Sequence, residues 1–318
     1  MPIPESQLRI WAKKHTTNKA QWTHEKIREA IGNYNYSREY NFITYLQGSY
    51  RNGTNIWADT DVDIIVQLNS IDSVPVFIGN SERLSHSQKA LLNLHYRRSS
   101  YSSLENFKSE VIDALRSRFG IGRVKKGRKS IKVLADRNRT MYDADVVVCL
   151  QYRLYVRSKA RNTTRDSRTG LYYYEGIWFR TSDGKSIVNF PTLHYKNGVE
   201  KHERTGNRFK KVVRIFKNMR NLACEMGLIT KEVAPSYFIQ CLLYNAPDEL
   251  YRYSLFEFIV YEILDWSSKV LQNPVEAGKL ISQNELIPLF GTGNDKWNIQ
   301  NARKFISSLI YLWNNWGS

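Results

Sequence analysis

In the first half of the chain, apolar positions fall in short β-branched runs separated by polar turns. Residues 62–68 (VDIIVQL) and 143–152 (DADVVVCLQY) read as buried strands, and residues 42–46 as another, followed by the polar turn QGSYRNGTN. Residues 22–32 read as a helix, with Thr23 as cap, Ile27, Ala30 and Ile31 as apolar stripe and Gly32 as stop. A second helix is expected over 104–118, and a polar, mobile loop over 157–170. Residues 171–190 predict a hairpin, because two apolar segments flank Ser182-Asp183-Gly184-Lys185. The second half changes period. Phe209, Val212, Val213, Phe216, Met219 and Ala223 recur at helical spacing between a Thr205 cap and Gly227. Further helices are expected at 235–245, 254–272 and 299–316, with no internal repeat. The pattern predicts an α+β chain with a sheet-bearing part over 1–195 and a helical lobe over 196–318.

Composition narrows the class. The chain has 318 residues, 42% of them hydrophobic, with 20 Tyr, 13 Phe and 8 Trp, enough to bury a core. A disordered basic tail is thereby excluded. No apolar run is long enough for a membrane span, and the first residues do not read as a secretory signal. Cys149, Cys224 and Cys241 are dispersed, so neither a disulfide scaffold nor a zinc ribbon is expected, and a reducing cytoplasm is the default. Lys and Arg number 47 against 30 Asp and Glu, a net charge of +17, which points to a polyanionic partner. Charge alone does not choose between nucleic acid and nucleoside polyphosphates.

The candidate chemistry lies in Asp61-Val62-Asp63, twelve positions after Ser49. Residues i and i+2 of a strand share a face, so Asp61 and Asp63 present two carboxylates together while Val62 and Ile64 enter the core. Such neighbours remain ionised most readily around a cation, and Mg²⁺ suits oxygen ligands and arrives with phosphates. Asp145, abutting the VVVC strand, is the candidate third carboxylate, with Asp143 in the preceding turn as its competitor. A site of this kind supports in-line phosphoryl transfer. Gly48 would let the backbone approach phosphates, with the Ser49 hydroxyl and following N–H groups as donors. By itself, an Asp-x-Asp at a strand start is equally a solvated edge.

On the helix at 206–226, Arg214 and Lys217 share a face with Lys210 and Asn221. That face is either a solvated basic surface or a pair of cations for a triphosphate. Ser236 and Tyr237, at the start of the next helix behind Pro235, offer a hydroxyl for phosphate and a ring for a base, or simply a cap and a core aromatic.

Gln47-Gly48-Ser49 with Asp61, Asp63 and Asp145 resembles the polymerase-β-type nucleotidyltransferase superfamily. More closely, the chain resembles the bacterial cGAS/DncV-like nucleotidyltransferases (CD-NTases) of clade E, which include cyclic UMP-AMP synthases. The likeness runs through YLQGSYRNGTNI, DTDVDIIVQLNS, ADVVVCLQYR, VNFPTLHYKNG, VRIFKN and APSYFIQCLLYNAPD. It implies a polymerase-β-like core and a helical lobe forming a two-lobed cage around nucleotides. It also implies Mg²⁺ on Asp61, Asp63 and Asp145, with Gln47 in the nucleotide-binding motif. Ser49, Arg214, Lys217 and Ser236 would contact the donor triphosphate, and Tyr237 would stack on the donor base. In that clade an asparagine in V-N-Y/F-P is associated with choosing a pyrimidine, and Asn189 matches it; an amide offers a donor and an acceptor to the uracil edge. The sequence departs from the clade at His202, where an asparagine would follow Lys201 and the NG turn; Thr205 is retained.

The resemblance implies a cytoplasmic, monomeric cyclic dinucleotide synthase of anti-phage defence, taking UTP and ATP or UTP alone. The effector that reads its product is not identifiable from the sequence. The rival readings are nucleotidyl transfer to an RNA end or small molecule, and a catalytically silent RNA-binding protein. Residues 123–132 (RVKKGRKSIK) carry six basic residues and no acid, outside these motifs, and would serve as solvated surface or contact RNA.

Overall fold

The structure, a computed structural model, describes residues 1–15, 18–71, 74–75, 78–80, 84–95, 101–292 and 296–317. Its strands are β1 (Tyr40–Leu46), β2 (Asp61–Ile71), β3 (Val74–Pro75), β4 (Ile78–Asn80), β5 (Val124–Lys126), β6 (Ile131–Val133), β7 (Asp143–Val156), β8 (Thr164–Arg165), β9 (Tyr172–Arg180) and β10 (Ser186–Asn189). Its α-helices begin with α1 (Glu5–Ala12), α2 (Lys19–Gly32), α3 (Gly48–Asn52), α4 (His86–His95) and α5 (Tyr101–Phe119). They continue with α6 (Pro191–Arg204), α7 (Phe209–Glu225), α8 (Ser236–Asn245), α9 (Phe256–Gln272), α10 (Pro274–Lys279) and α11 (Ile299–Asn314). The α+β chain divides into two compact units. One comprises Thr17–Tyr50 and Thr60–Thr192; the other comprises Met1–Thr16, Arg51–Asp59 and Leu193–Ser318.

The first unit is built on a sheet with the central order β1-β2-β7-β6-β5. β2 lies antiparallel to β1 and parallel to β7, and β7 is antiparallel to β6. Val62, Ile64, Val66 and Leu68 of β2, with Ala144, Val146, Val148 and Leu150 of β7, face Ile27 and Ile31 of α2 and Phe107, Val111 and Leu115 of α5. The two-residue period therefore turns Asp61, Asp63, Asp143 and Asp145 to the opposite face. Asp143 belongs to β7 rather than to a turn. The segment expected as a turn after β1 is the short helix α3. Thr23 lies within α2 rather than capping it. Its hydroxyl donates to the Lys19 carbonyl at 2.7 Å and accepts from the Tyr142 N–H at 2.9 Å. The 171–190 hairpin forms as β9 and β10, and β8 in the preceding polar loop pairs with β9.

The second unit packs α1, α7, α8, α9 and α11 around one core. α7 buries the expected stripe from Phe209 to Ala223 but starts at Phe209 behind Arg208, so Thr205 is not its cap. From the preceding turn, the Thr205 hydroxyl accepts the Phe209 N–H at 3.1 Å and donates to the Lys201 carbonyl at 2.8 Å. α6 was not foreseen, because Asn197-Gly198 reads as a turn. Here both residues are helical: Asn197 Nδ2 donates to the Gln283 carbonyl at 2.8 Å. A Cβ on Gly198 would stand 2.4 Å from Gln283 Nε2, so the glycine serves packing. Residues 1–16 and 51–59, which fall in the expected sheet-bearing part, join this helical unit because α7 supplies their polar partners. Among the described residues, no helix is long and apolar enough to cross a membrane.

Candidate functional site

In the sheet unit, parallel pairing sets Asp63 beside Asp145 and Asp61 beside Asp143. Adjacent strands stand about 4.8 Å apart, so the side chains of a matched pair are neighbours. Asp61 is exposed, whereas Asp63 and Asp145 are half-buried. Asp143 is drawn to one side: its Oδ1 accepts the Ala135 N–H at 2.7 Å. Asp145 Oδ1 accepts the Ser130 hydroxyl at 3.0 Å, a partner that the sequence reading did not find.

Gly48 shapes this row directly. Its φ is +69°, and a Cβ there would lie 1.9 Å from Asp63 Oδ2. The bare glycine thus makes room for the Asp63 carboxylate, where the sequence suggested room for phosphates. Gln47 N donates to the Asp63 carbonyl at 2.9 Å, and Gln47 Oε1 is buried without a hydrogen-bond partner. Ser49 follows in α3, half-buried.

Among the described residues, no three carboxylate, imidazole or thiol groups form a closed cation cage. Mg²⁺ does not require one, since it binds through one or two carboxylates, waters and substrate phosphates. A row of hard oxygen donors with space cleared by Gly48 fits that ion. Asn189 closes β10 opposite Ile177, and its Oδ1 accepts the Phe190 N–H at 2.8 Å, which orients the amide.

In the helical unit the expected cations are engaged elsewhere. Arg214 is 6% exposed; its Nε donates to the Ala12 carbonyl at 2.7 Å and its guanidinium also to the Gly53 carbonyl. Burial lowers its pKa to about 10. Lys217 is 1% exposed, donates to the Thr54 carbonyl at 3.1 Å and forms an ion pair with Asp59. These cations secure residues 12 and 53–59 instead of forming an open face, so contact with phosphate would require them to exchange partners. Nothing in the sequence marks Asp59 as that partner.

Ser236 begins α8, with Pro235 at the preceding cap position. Tyr237 stacks on His194 with ring centroids 4.8 Å apart and planes 22° from parallel, and Trp297 lies tilted at 6.2 Å. Burial raises the Tyr237 phenol pKa well above its usual value and lowers that of His194 to about 4. Lys201 is buried, pairs with Asp248 at 2.6 Å and donates to the Ala246 carbonyl. His202 Nδ1 accepts the Lys210 N–H at 3.3 Å. Burial, together with Lys210, Arg214 and Lys211, lowers the His202 pKa to about 4.

Comparison with known proteins places these features in a family. Residues 196–314 match the cGAS/DncV-like nucleotidyltransferase C-terminal helical domain. The chain is 37% identical to the cyclic nucleotide synthase CdnE01 of Staphylococcus haemolyticus, covering 99% of this chain and all of that protein. It is 38% identical to the cyclic UMP-AMP synthase of Rhodothermus marinus over the full length of both. The structure of Rhodothermus marinus CdnE c-UMP-AMP synthase, determined with Apcpp and Upnpp, superposes with a TM-score of 0.82 at 38% identity, covering all of this chain and 98% of that one. Similarity at this level over whole chains means that the protein belongs to the cGAS/DncV-like nucleotidyltransferases, the CD-NTases, alongside the CdnE synthases.

Proposed function

We propose that the protein is a template-independent synthase that joins nucleoside triphosphates into a pyrimidine-containing cyclic dinucleotide, cyclic UMP-AMP or cyclic di-UMP. The carrying observation is full-length similarity to a cyclic UMP-AMP synthase in a chain with Asp61, Asp63 and Asp145 on one sheet face. In each of two steps a ribose 3′-oxygen attacks an α-phosphorus. A P–O bond forms, the bond to the departing pyrophosphate breaks, and the hydroxyl proton passes to a carboxylate or water. The second step closes the ring.

Asp61, Asp63 and Asp145 would hold Mg²⁺, which when bound acidifies the attacking hydroxyl and neutralises charge on the leaving group. Gly48 leaves the room that the Asp63 carboxylate occupies. Gln47 Oε1 offers an unpaired acceptor; Ser49 would offer its hydroxyl to a phosphate, and Ser236, by its match to the family motif, is a further candidate donor. Tyr237, stacked on His194, would offer its ring to a base. Asn189 selects uracil through its amide, an assignment supported by its match to the clade motif. The product would act in the cytoplasm as an anti-phage signal for a separate effector.

Incubation with labelled nucleotides and Mg²⁺, without an acceptor, tests the reading. The expected result is a phosphatase-resistant product containing uridine. Strict dependence on added RNA, or a product lacking pyrimidine, overturns it. The double variant Asp61→Asn, Asp63→Asn is expected to lose on the order of 10³-fold in rate while remaining folded, the equivalent of several kcal/mol of charge stabilisation.

A further inference from the structure

The basic run 123–132 forms the β5–β6 hairpin, which reaches the candidate site from its side. β6 pairs with the start of β7, so Lys132 lies opposite Asp145 and Ile131 opposite Val146. At the turn, Gly127 N donates to the Ser130 carbonyl at 2.8 Å. A Cβ on Gly127 would stand 2.8 Å from that oxygen, so this close turn depends on glycine. The turn holds Ser130 half-buried with its hydroxyl on Asp145 Oδ1 at 3.0 Å.

Two cations of the run are committed to the same scaffold. Arg123 donates through Nε and a terminal nitrogen to the Leu134 carbonyl, at 3.0 and 2.7 Å. Arg128 contacts Asp183 Oδ2 through two nitrogens, each at 3.0 Å, and its carbonyl accepts the Ser182 N–H at 2.9 Å. Ser182 and Asp183 belong to the turn between β9 and β10, and β10 ends at Asn189. The hairpin tip is therefore fixed at two points, the carboxylate and the turn before the Asn189 strand.

We infer that this hairpin is a positioning element for Asp145, acting through Ser130. The inference rests on the proposed reading of Asp145 as a metal-binding carboxylate. An aspartate rotates freely about its terminal bond and loses that freedom when it coordinates a cation. The Ser130 hydroxyl fixes the rotation beforehand by occupying Oδ1 on one side, leaving Oδ2 and the remaining Oδ1 lone pair for the ion. Outer partners of metal-binding carboxylates contribute about 10–100-fold to affinity or activity.

The test compares Ser130→Ala, Ser130→Thr and Asp145→Asn with the parent protein, in the full chain. Calorimetry of Mg²⁺ titrated into protein saturated with a non-hydrolysable UTP analogue reads the ion directly, and initial rates against UTP concentration separate kcat from KM. Ser130→Ala is expected to weaken Mg²⁺ binding by about tenfold or more and to lower kcat, with KM for UTP unchanged. Ser130→Thr, which keeps the hydroxyl, is expected to recover most of the affinity. Parental Mg²⁺ affinity and kcat in Ser130→Ala, beside an inactive Asp145→Asn, overturn the positioning role alone. A fully active Asp145→Asn overturns the assignment of Asp145 and this inference with it.

Discussion

The carboxylate face of β2 and β7 and the cationic face of α7 each gather like charges in one of the two units, and their surroundings are opposite. On the sheet, Asp61 is exposed, while Asp63 and Asp145 are half-buried with room cleared by Gly48. On α7, Arg214 and Lys217 are nearly inaccessible, with donors spent on Ala12, Gly53, Thr54 and Asp59. The sheet carboxylates stay partly accessible, whereas the cations of α7 are buried with partners that fasten chain segments. The contrast gives α7 a part in assembly and leaves accessible carboxylates on the sheet for the proposed chemistry.

The largest expected test of that division is Lys217→Met. Removing one partner of a buried ion pair leaves the other uncompensated and costs about 3–5 kcal/mol. Urea unfolding should show that loss, and Asp59→Ala should reproduce part of it. Parental stability with impaired triphosphate binding would instead make Lys217 a substrate ligand and break the comparison.

Next comes pH. His194 is buried and its pKa is about 4, against 6.5 as the unperturbed value. Between those pH values the unfolded chain binds a proton that the native protein does not, so stability falls as pH falls from 6.5 toward 4. The loss reaches about 3 kcal/mol at the acid end. His194→Phe should reduce the pH dependence of the melting temperature in this window, leaving the part due to His202 and His24, whose burial also lowers their pKa. An unchanged slope would show that His194 is already charged in the native state.

Gly48→Ala sharpens the carboxylate side. The new methyl displaces Asp63, and a misplacement of this order costs about 10²-fold in rate. The strain of a left-handed alanine adds only about 1–2 kcal/mol to instability. Rate loss well beyond stability loss is the expected signature in steady-state kinetics. The smallest effect belongs to Asn189→Ala. Losing one base hydrogen bond, about 1–1.5 kcal/mol, should shift the ratio of uridine to adenosine incorporation by about tenfold in product chromatography.

Much of the sheet was legible because alternation is local. Val62, Ile64 and Val66 announce both the strand and the face left to Asp61 and Asp63. The helical stripe of α7 was equally plain, although the helix starts at Phe209 behind Arg208 and not directly after Thr205. What escaped depends on partners remote in sequence. Asn197-Gly198 carries a turn signature, yet Gln283 holds it inside α6; Pro191 at the helix start was the available signal. Arg214 and Lys217 have the spacing of a surface pair, and only the carbonyls of residues 12, 53 and 54 reveal that they are buried. Ser130 looks like one polar residue in a basic run until β6 pairs with β7 and brings it to Asp145.

The membership of residues 1–16 and 51–59 in the helical unit limits how the chain can be divided. A gene fragment encoding residues 196–314 would include the whole matched helical domain but omit the carbonyls of Ala12, Gly53 and Thr54 and the carboxylate of Asp59. Such a fragment would carry two buried cations stripped of their counterparts, and should be recovered unfolded. Supplying peptides 1–16 and 51–59 in trans should restore helical circular dichroism, making this lobe a three-piece assembly interrupted by the sheet.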